Sequence, residues 1–389
     1  MKVLHLRTGC RLHFGLMELA AGEPMRFAGL GLMLDQPSFE LAFSAAESPA
    51  LEVSLPERPV AATAVAATVA ATDIKAEFEG RILAAIRQRR TLATDSTQES
   101  SPCHVRLLQA LPLHSGLGAG TQLAASVATG LELFARAQSH SAIVEPSVST
   151  GPCPKPCQTT AAAQWHTIHD TQPTWTAQWL SQYADRGLRS AVGLVGFLHG
   201  GLILDEGYTP EYAGDAVSKQ AARPLTAQTL QLAHEWRVVL AVPQQRVEVS
   251  GAKEAEVMAE LGSFPNPHRK QMLALALRAT CLAADNSHFV EFTDCLDQYM
   301  QFGAQLFSRY QGGLYNGDDV TEAVRLAQAV GLRGVGQSSW GPTVFGFAES
   351  QACAERYTEQ LRHQRPDWSV RISTPAKGGA QYFWQPSLK

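Results

Sequence analysis

The spacing of hydrophobic positions along this chain changes period several times, and each change marks an element. Val3-Leu4-His5-Leu6-Arg7 alternates with a period of two, and Arg11-Leu12-His13-Phe14-Gly15-Leu16 continues the strand-like run. Phe39-Glu40-Leu41-Ala42-Phe43 reads as another strand after a turn at Gly29-Leu30-Gly31, and Val105-Arg106-Leu107-Leu108 as a further one. Val60 to Thr72, followed by Ile74, Phe78, Ile82, Leu83 and Ile86, predicts one or two helices, with Arg87 to Arg90 at the end that favours positive charge. Leu123, Val127 and Leu131 recur at i, i+4 and i+8, one face of a helix. A short helix and the strand Gly201 to Asp205 close the first half. Arg237-Val238-Val239-Leu240-Ala241-Val242 opens the second as a buried strand. Phe289, Phe292, Leu296, Tyr299, Phe302 and Leu306 step by three and four, a helical stripe that belongs in a core. Helices at 320–330 and 349–363 alternate with strands at Thr343 to Phe347 and Trp368 to Ile372. The pattern predicts an α+β protein with helices against a mostly antiparallel sheet.

Two polar stretches interrupt it. Ser, Thr, Pro and Gln dominate from Gln138 to Gln178, so an insertion is expected near 139–176, with Trp165, Trp175 and Trp179 available to pack. A second polar stretch, Gly207 to Thr229, suggests domains at 1–215 and 216–389.

Composition narrows the options. The chain has 389 residues, 45% hydrophobic and 17% charged, enough for one large or two medium domains of a soluble protein. A net charge of −4 gives no electrostatic footprint for nucleic acid. No apolar run is long enough to span a membrane, and the first residues lack the apolar core of a secretory signal, so a cytoplasmic protein is expected. Seven cysteines, an odd number, argue against a disulfide framework. Cys153 and Cys157 form a close pair within a proline-rich stretch, with no further ligands to complete a zinc site.

Chemistry concentrates at Pro112-Leu113-His114-Ser115-Gly116-Leu117-Gly118-Ala119-Gly120-Thr121-Gln122, between a strand and a helix. Glycines admit positive φ and close approach of a ligand to the backbone. The amides and dipole at the following helix start favour an anion, and Thr121 and Gln122 add side-chain donors. No Lys or Arg lies inside the loop, and its spacing differs from both the P-loop and the dinucleotide fingerprint. The same spacing also fits an ordinary tight strand-to-helix turn.

Four motifs carry a resemblance. They are Arg11-Leu12-His13-Phe14-Gly15-Leu16, Gly116-Leu117-Gly118-Ala119-Gly120-Thr121-Gln122, Arg186-Gly187-Leu188-Arg189-Ser190-Ala191-Val192-Gly193 with His199-Gly200-Gly201, and Gly336-Gln337-Ser338-Ser339-Trp340-Gly341-Pro342-Thr343. Together they resemble the GHMP kinase superfamily and, within it, the β-ribofuranosylaminobenzene 5′-phosphate synthase family. The chain departs from that family at Ala119, where Ser is usual, and at Asp185, where Gly is common. The resemblance implies a GHMP-kinase-like fold, with an N-terminal half like ribosomal protein S5 domain 2 and a ferredoxin-like C-terminal half. Mevalonate-type kinases place an acidic base where Gly193 stands, so a hydroxyl nucleophile would lack its base here.

The activity implied is condensation of 5-phosphoribosyl 1-diphosphate with 4-hydroxybenzoate or 4-aminobenzoate, releasing carbon dioxide and pyrophosphate, in tetrahydromethanopterin biosynthesis. Mg²⁺ would ride on the substrate diphosphate. The resemblance assigns catalysis to Arg11, His13, Arg189 and His199. Phosphate binding falls to Gly116, Leu117, Gly118, Ala119, Gly120, Thr121, Gln122, Arg186, Ser190 and Lys377, and acceptor binding to Arg26, Gln337, Ser338, Ser339 and Trp340. Phe14 and Phe27 could stack on the acceptor ring, and Asp35 is the one carboxylate considered for a metal. The partners expected are these small molecules, not nucleic acid or membrane, with a homodimer left open. The alternatives are an ATP-dependent GHMP small-molecule kinase and a non-catalytic phosphometabolite-binding protein.

Overall fold

The computed structural model describes residues 2–17, 27–46, 52–54, 70–92, 103–139, 164–172, 174–187, 189–207, 226–243, 256–257, 260–261, 266–285 and 287–385. In the N-terminal half the strands are β1 (Val3–Leu16), β2 (Gly29–Ala45), β3 (Glu52–Ser54), β4 (Cys103–Gln109), β5 (His166–Thr167) and β6 (Leu202–Asp205). Helices α1 (Ala70–Leu92), α2 (Ala119–Ser139), α3 (Ile168–Thr171), α4 (Ala177–Ala184) and α5 (Val192–His199) lie between them. There follow β7 (Ala227–Leu230), β8 (Arg237–Val242), α6 (Arg269–Asp285), α7 (Phe289–Gln311), α8 (Asp318–Ala329), β9 (Arg333–Gln337), β10 (Val344–Ala348), α9 (Gln351–Gln364), β11 (Ser369–Ser373) and β12 (Gln381–Gln385).

The first sheet runs β3-β4-β2-β1-β12-β5, with β6 also on β2 and β7 on β6. Strand β2 is long enough to serve two neighbours on one edge, β6 at Gly29 to Leu32 and β4 at Glu40 to Ala45. Two strands beyond residue 215, β7 and β12, belong to this sheet. The second sheet has the order β11-β8-β10-β9, antiparallel throughout, which is the interleaved order of a ferredoxin-like half. The expected α+β architecture with largely antiparallel sheets is therefore present.

Helix α7 fastens the two sheets together. Phe292 is fully buried, and its ring meets Trp236 and Phe347 on the second-sheet side. About two turns on, the Tyr299 hydroxyl donates to the Gly15 carbonyl on β1 at 2.7 Å. The stripe read as core is core over Phe289, Phe292, Leu296 and Tyr299, while Phe302 is only partly buried. Trp175 is buried and stacks on Trp179, and Arg136 lies over the Trp175 ring. The Cys153–Cys157 pair, most of the insertion near 139–176 and Val60 to Val69 lie outside the described residues.

One turn expected from glycine content is strand instead, and a second glycine-rich motif begins as strand. Gly29-Leu30-Gly31 lies in β2, paired with β1 and β6. A Cβ on Gly31 would sit 2.5 Å from Val192 Cγ1 and 2.5 Å from the Leu12 carbonyl oxygen, so the glycine lets α5 lie on the sheet. Gly334 to Gln337 lies in β9, and the Gly334 and Val335 amides donate to the Asp297 carboxylate. Only the segment after Gln337 turns. Among the described residues, no helix is long and apolar enough to cross a membrane.

Candidate active site

Strand β4 ends at Gln109, and the chain then turns through Leu113 to Gly118 into α2. Gly116 and Gly118 take φ of +81° and +75°, in the left-handed region where a side chain is strained. The Gln122 amide donates to the Gly118 carbonyl at 3.0 Å, making Gly118 the residue before the first helical turn. The Thr121 amide also reaches the Gly118 carbonyl, at 3.1 Å, which leaves the amides of Ala119 and Gly120 with no acceptor within the helix, and the helix dipole adds partial positive charge at the same end. This end of α2 opens on a cavity of about 750 Å³.

Space around each loop glycine is already claimed by the protein. A Cβ on Gly116 would lie 2.1 Å from the Ser338 carbonyl oxygen, one on Gly118 would touch Arg11 at 3.1 Å, and one on Gly120 would lie 2.7 Å from Arg81 NH1. The expectation that these glycines admit a ligand is thus corrected in part: they first admit two arginines and a second turn.

The cavity lining is rich in cations. Arg11, Arg81, Arg186 and Arg189 line it, and Asp185 is the carboxylate among the lining residues. Burial pushes the Arg186 guanidinium below its ordinary range, and the charges of Arg81 and Arg189 add to that, with Asp185 opposing. Mutually repelling cations around a helix N-terminus have the chemistry that a polyanion would neutralise. The lining also includes the apolar residues Phe14, Leu16, Met300, Phe307, Leu314 and Trp340. Trp340 is 8% exposed and meets the Phe307 ring edge-on, centroids 4.8 Å apart.

A histidine–serine pair also lines the cavity. His13 Nδ1 accepts from the Gly15 amide at 3.2 Å, which places the proton on Nε2, 3.2 Å from Ser190 Oγ. Burial, aided by the Arg11 charge, pushes the imidazole down to about 3, so it is neutral at pH 7. Ser190 Oγ also accepts from the Val192 amide at 3.3 Å. With both lone pairs engaged, the Ser190 hydroxyl proton is left to donate to a bound group.

The structure gathers at this cavity most of the residues expected there. Arg11, His13, Arg186, Arg189 and Ser190 line it, as do Gly116, Gly118, Ala119, Gly120 and Thr121 of the loop and Gln337, Ser339 and Trp340 of the second turn. Five others do not line it. Leu117 points its side chain into the core, and its carbonyl accepts the Arg11 amide. Gln122 is fully buried: it accepts from Thr8 Oγ1 at 2.9 Å and donates to the Gly193 carbonyl at 2.8 Å, tying α2 to β1 and α5. Ser338 is also fully buried; it donates to the Gly116 carbonyl and accepts from the His13 amide. His199 packs against His169 with ring centroids 4.3 Å apart. Lys377 is exposed, and its charge bears on Asp35. Arg26 and Leu188 lie outside the described residues.

Sequence reasoning missed Arg81, Glu77 and the part played by His114. Arg81 and Glu77 are four apart on α1 and look like a common solvent-exposed helix pair. Among the described residues, no group of three or more His, Cys, Asp or Glu side chains could hold a metal ion. The cavity's own donors, guanidinium, amide and hydroxyl, suit an anion and do not fit a bare divalent cation, whose ligands would have to come from the substrate.

No protein-family model matches the chain. It is 22% identical over 351 residues to β-ribofuranosylphenol 5′-phosphate synthase of Methanothermobacter thermautotrophicus, spanning 90% of this chain and 89% of that protein. The enzyme of the same name from Archaeoglobus fulgidus is 22% identical over 353 residues, with the same coverage of both chains. Among solved structures, homoserine kinase from Cytophaga hutchinsonii aligns with a TM-score of 0.55 at 16% identity, covering 98% of this chain and 97% of that one. Mevalonate diphosphate decarboxylase from Staphylococcus aureus aligns with a TM-score of 0.54 at 12% identity and 98% coverage of both chains. The fold is that of the GHMP kinases. The resemblance carried by the four motifs is borne out, and it is a resemblance to enzymes.

Proposed function

We propose that the protein is a decarboxylating phosphoribosyl-type transferase that joins 5-phosphoribosyl 1-diphosphate to 4-hydroxybenzoate or 4-aminobenzoate. One observation carries the reading: a single cavity of about 750 Å³ at a helix N-terminus is lined by four arginines and by aromatic and other apolar side chains. The cations suit a donor bearing a diphosphate and a phosphate, the apolar and aromatic side chains the ring of a benzoate. The names of the similar synthases agree with it.

In the reaction, the bond from ribose C1 to the diphosphate oxygen breaks and its electron pair leaves with pyrophosphate. The ring carbon bearing the carboxylate attacks C1, driven by the para oxygen or nitrogen. Loss of carbon dioxide then returns the carbon–carboxylate electron pair to the ring. The α2 end with Arg186 and Arg189 would neutralise the departing pyrophosphate. Ser190, oriented by neutral His13, would donate a hydrogen bond to a substrate oxygen. Trp340 and Phe307 would hold the ring and keep water from C1. Mg²⁺, bound through the substrate diphosphate, would supply further charge neutralisation.

Gly193 weighs against the kinase alternative. A Cβ there would lie 2.9 Å from Thr121 Cγ2, so the acidic base of mevalonate-type kinases does not fit without displacing the loop. Purified protein with Mg²⁺, 5-phosphoribosyl 1-diphosphate and either benzoate is expected to release carbon dioxide and pyrophosphate in equal amounts. Substrate-stimulated ATP consumption without carbon dioxide would overturn the reading.

A further inference from the structure

Helix α1 approaches the cavity from outside the glycine loop, and the four motifs do not include it. Its Glu77 carboxylate oxygen Oε1 accepts from Arg81 Nε at 3.0 Å and NH2 at 2.6 Å, and meets His114 Nε2 at 2.8 Å. Both partners line the cavity, His114 from the turn before the loop with φ of +55° and Arg81 from α1. Burial alone would raise the Glu77 carboxyl, but hydrogen bonds from Arg81 and His114 hold it below its ordinary range. One carboxylate therefore fixes two donors at the cavity mouth.

Arg81 is directed across the loop rather than into solvent. The atoms a Cβ on Gly120 would meet are Arg81 NH1 at 2.7 Å and Cζ at 3.9 Å. Gly120 does not have the positive φ of Gly116 and Gly118, so its backbone does not itself demand glycine. Its missing side chain keeps a path open for the guanidinium over the first turn of α2.

We infer that Arg81 is a diphosphate-binding residue, that Glu77 is its positioning residue, and that Gly120 is glycine to let Arg81 reach the α2 N-terminus. This rests on the proposed reading of the cavity as a diphosphate site. With Glu77 occupying the side of the guanidinium that carries Nε and NH2, NH1 faces the loop and is presented to the ligand. The arrangement is a fork held from behind, which loses little side-chain freedom when the anion arrives.

Calorimetric titration with inorganic pyrophosphate, beside thermal melting, tests it. Wild-type protein binds pyrophosphate; if it does not, the reading of the cavity falls. Arg81→Ala weakens binding about tenfold or more, the size expected for a charge-assisted hydrogen bond, and Arg81→Lys recovers part of the loss. Gly120→Ala weakens binding comparably while the melting temperature holds or rises, because alanine favours the helix. Glu77→Gln raises the KM for the diphosphate substrate more than it lowers kcat. Wild-type affinity in both Arg81→Ala and Gly120→Ala, with pyrophosphate still bound, would overturn the inference and leave the cavity reading standing. A Glu77→Gln variant that melts earlier with unchanged KM would remove Glu77 from it.

Discussion

Two glycine-rich turns meet at the cavity, one at 113–118 and the other at 338–343, and their similar composition hides different work. The first runs into α2, a helix of 21 residues, and so ends in unpaired amides and a positive dipole end. The second runs from β9 into β10 and has no helix behind it. Its buried serine is spent on the first turn: Ser338 Oγ donates to the Gly116 carbonyl at 2.8 Å, and the Thr343 amide donates to the Ser115 carbonyl at 3.4 Å. Backbone meets backbone where they touch, since a Cβ on Gly341 would lie 2.1 Å from the Gly116 nitrogen. Glycine marks close approach in both; the element that follows decides whether the approach makes an anion site or a brace.

The sharpest way to break this pairing is to wedge it apart. Gly341→Ala places a methyl against the Gly116 backbone and should cost about 3 kcal/mol or more, read by denaturant unfolding. Removing a cation should leave the fold and strike the ligand. Arg186→Ala is expected to lower kcat/KM by about 10- to 100-fold, the range for a charge-assisted hydrogen bond, with little change in stability. Ser338→Ala removes a hydroxyl that donates to one turn and accepts from β1, and should destabilise by about 1 to 2 kcal/mol while affecting pyrophosphate affinity less than Arg186→Ala does.

His13 links the second turn, through Ser338 and Ser339, to Ser190, and its titration offers a finer probe. Its pKa falls from 6.5 to about 3 on folding because burial, then Arg11, disfavours the charged ring. Between those values the unfolded chain holds a proton that the folded one does not, so this contribution to stability is complete above pH 6.5 and is lost as pH falls toward 3. His13→Gln should flatten that acid limb in pH-dependent melting. The smallest effects are expected at Lys377→Ala and His199→Ala, whose side chains do not line the cavity; turnover should stay within about twofold, since substitutions away from a site perturb little.

Much of this was legible from residue order. Periodicity located β4, α2, β8 and α7 because each has one clearly apolar face, and the glycine loop was visible because it sits between a strand and a helix. Three kinds of residue were misread for physical reasons. Gln122, Ser338 and His199 lie beside glycine motifs, but adjacency does not say which way a side chain points, and theirs turn into the protein. Gly29 and Gly31 suggested a turn, whereas the lack of a Cβ served helix packing on a sheet. Arg81 was invisible because a helix pair of Glu and Arg four residues apart looks the same facing solvent or an active site.

The contrast between the turns is most directly tested by a crystal structure with inorganic pyrophosphate. It should place the phosphates over the first turn of α2, within hydrogen-bond distance of the amides at 118–120 and of guanidiniums from Arg81, Arg186 or Arg189. Phosphates seated instead on the amides of 338–343, with the α2 end empty, would contradict the account.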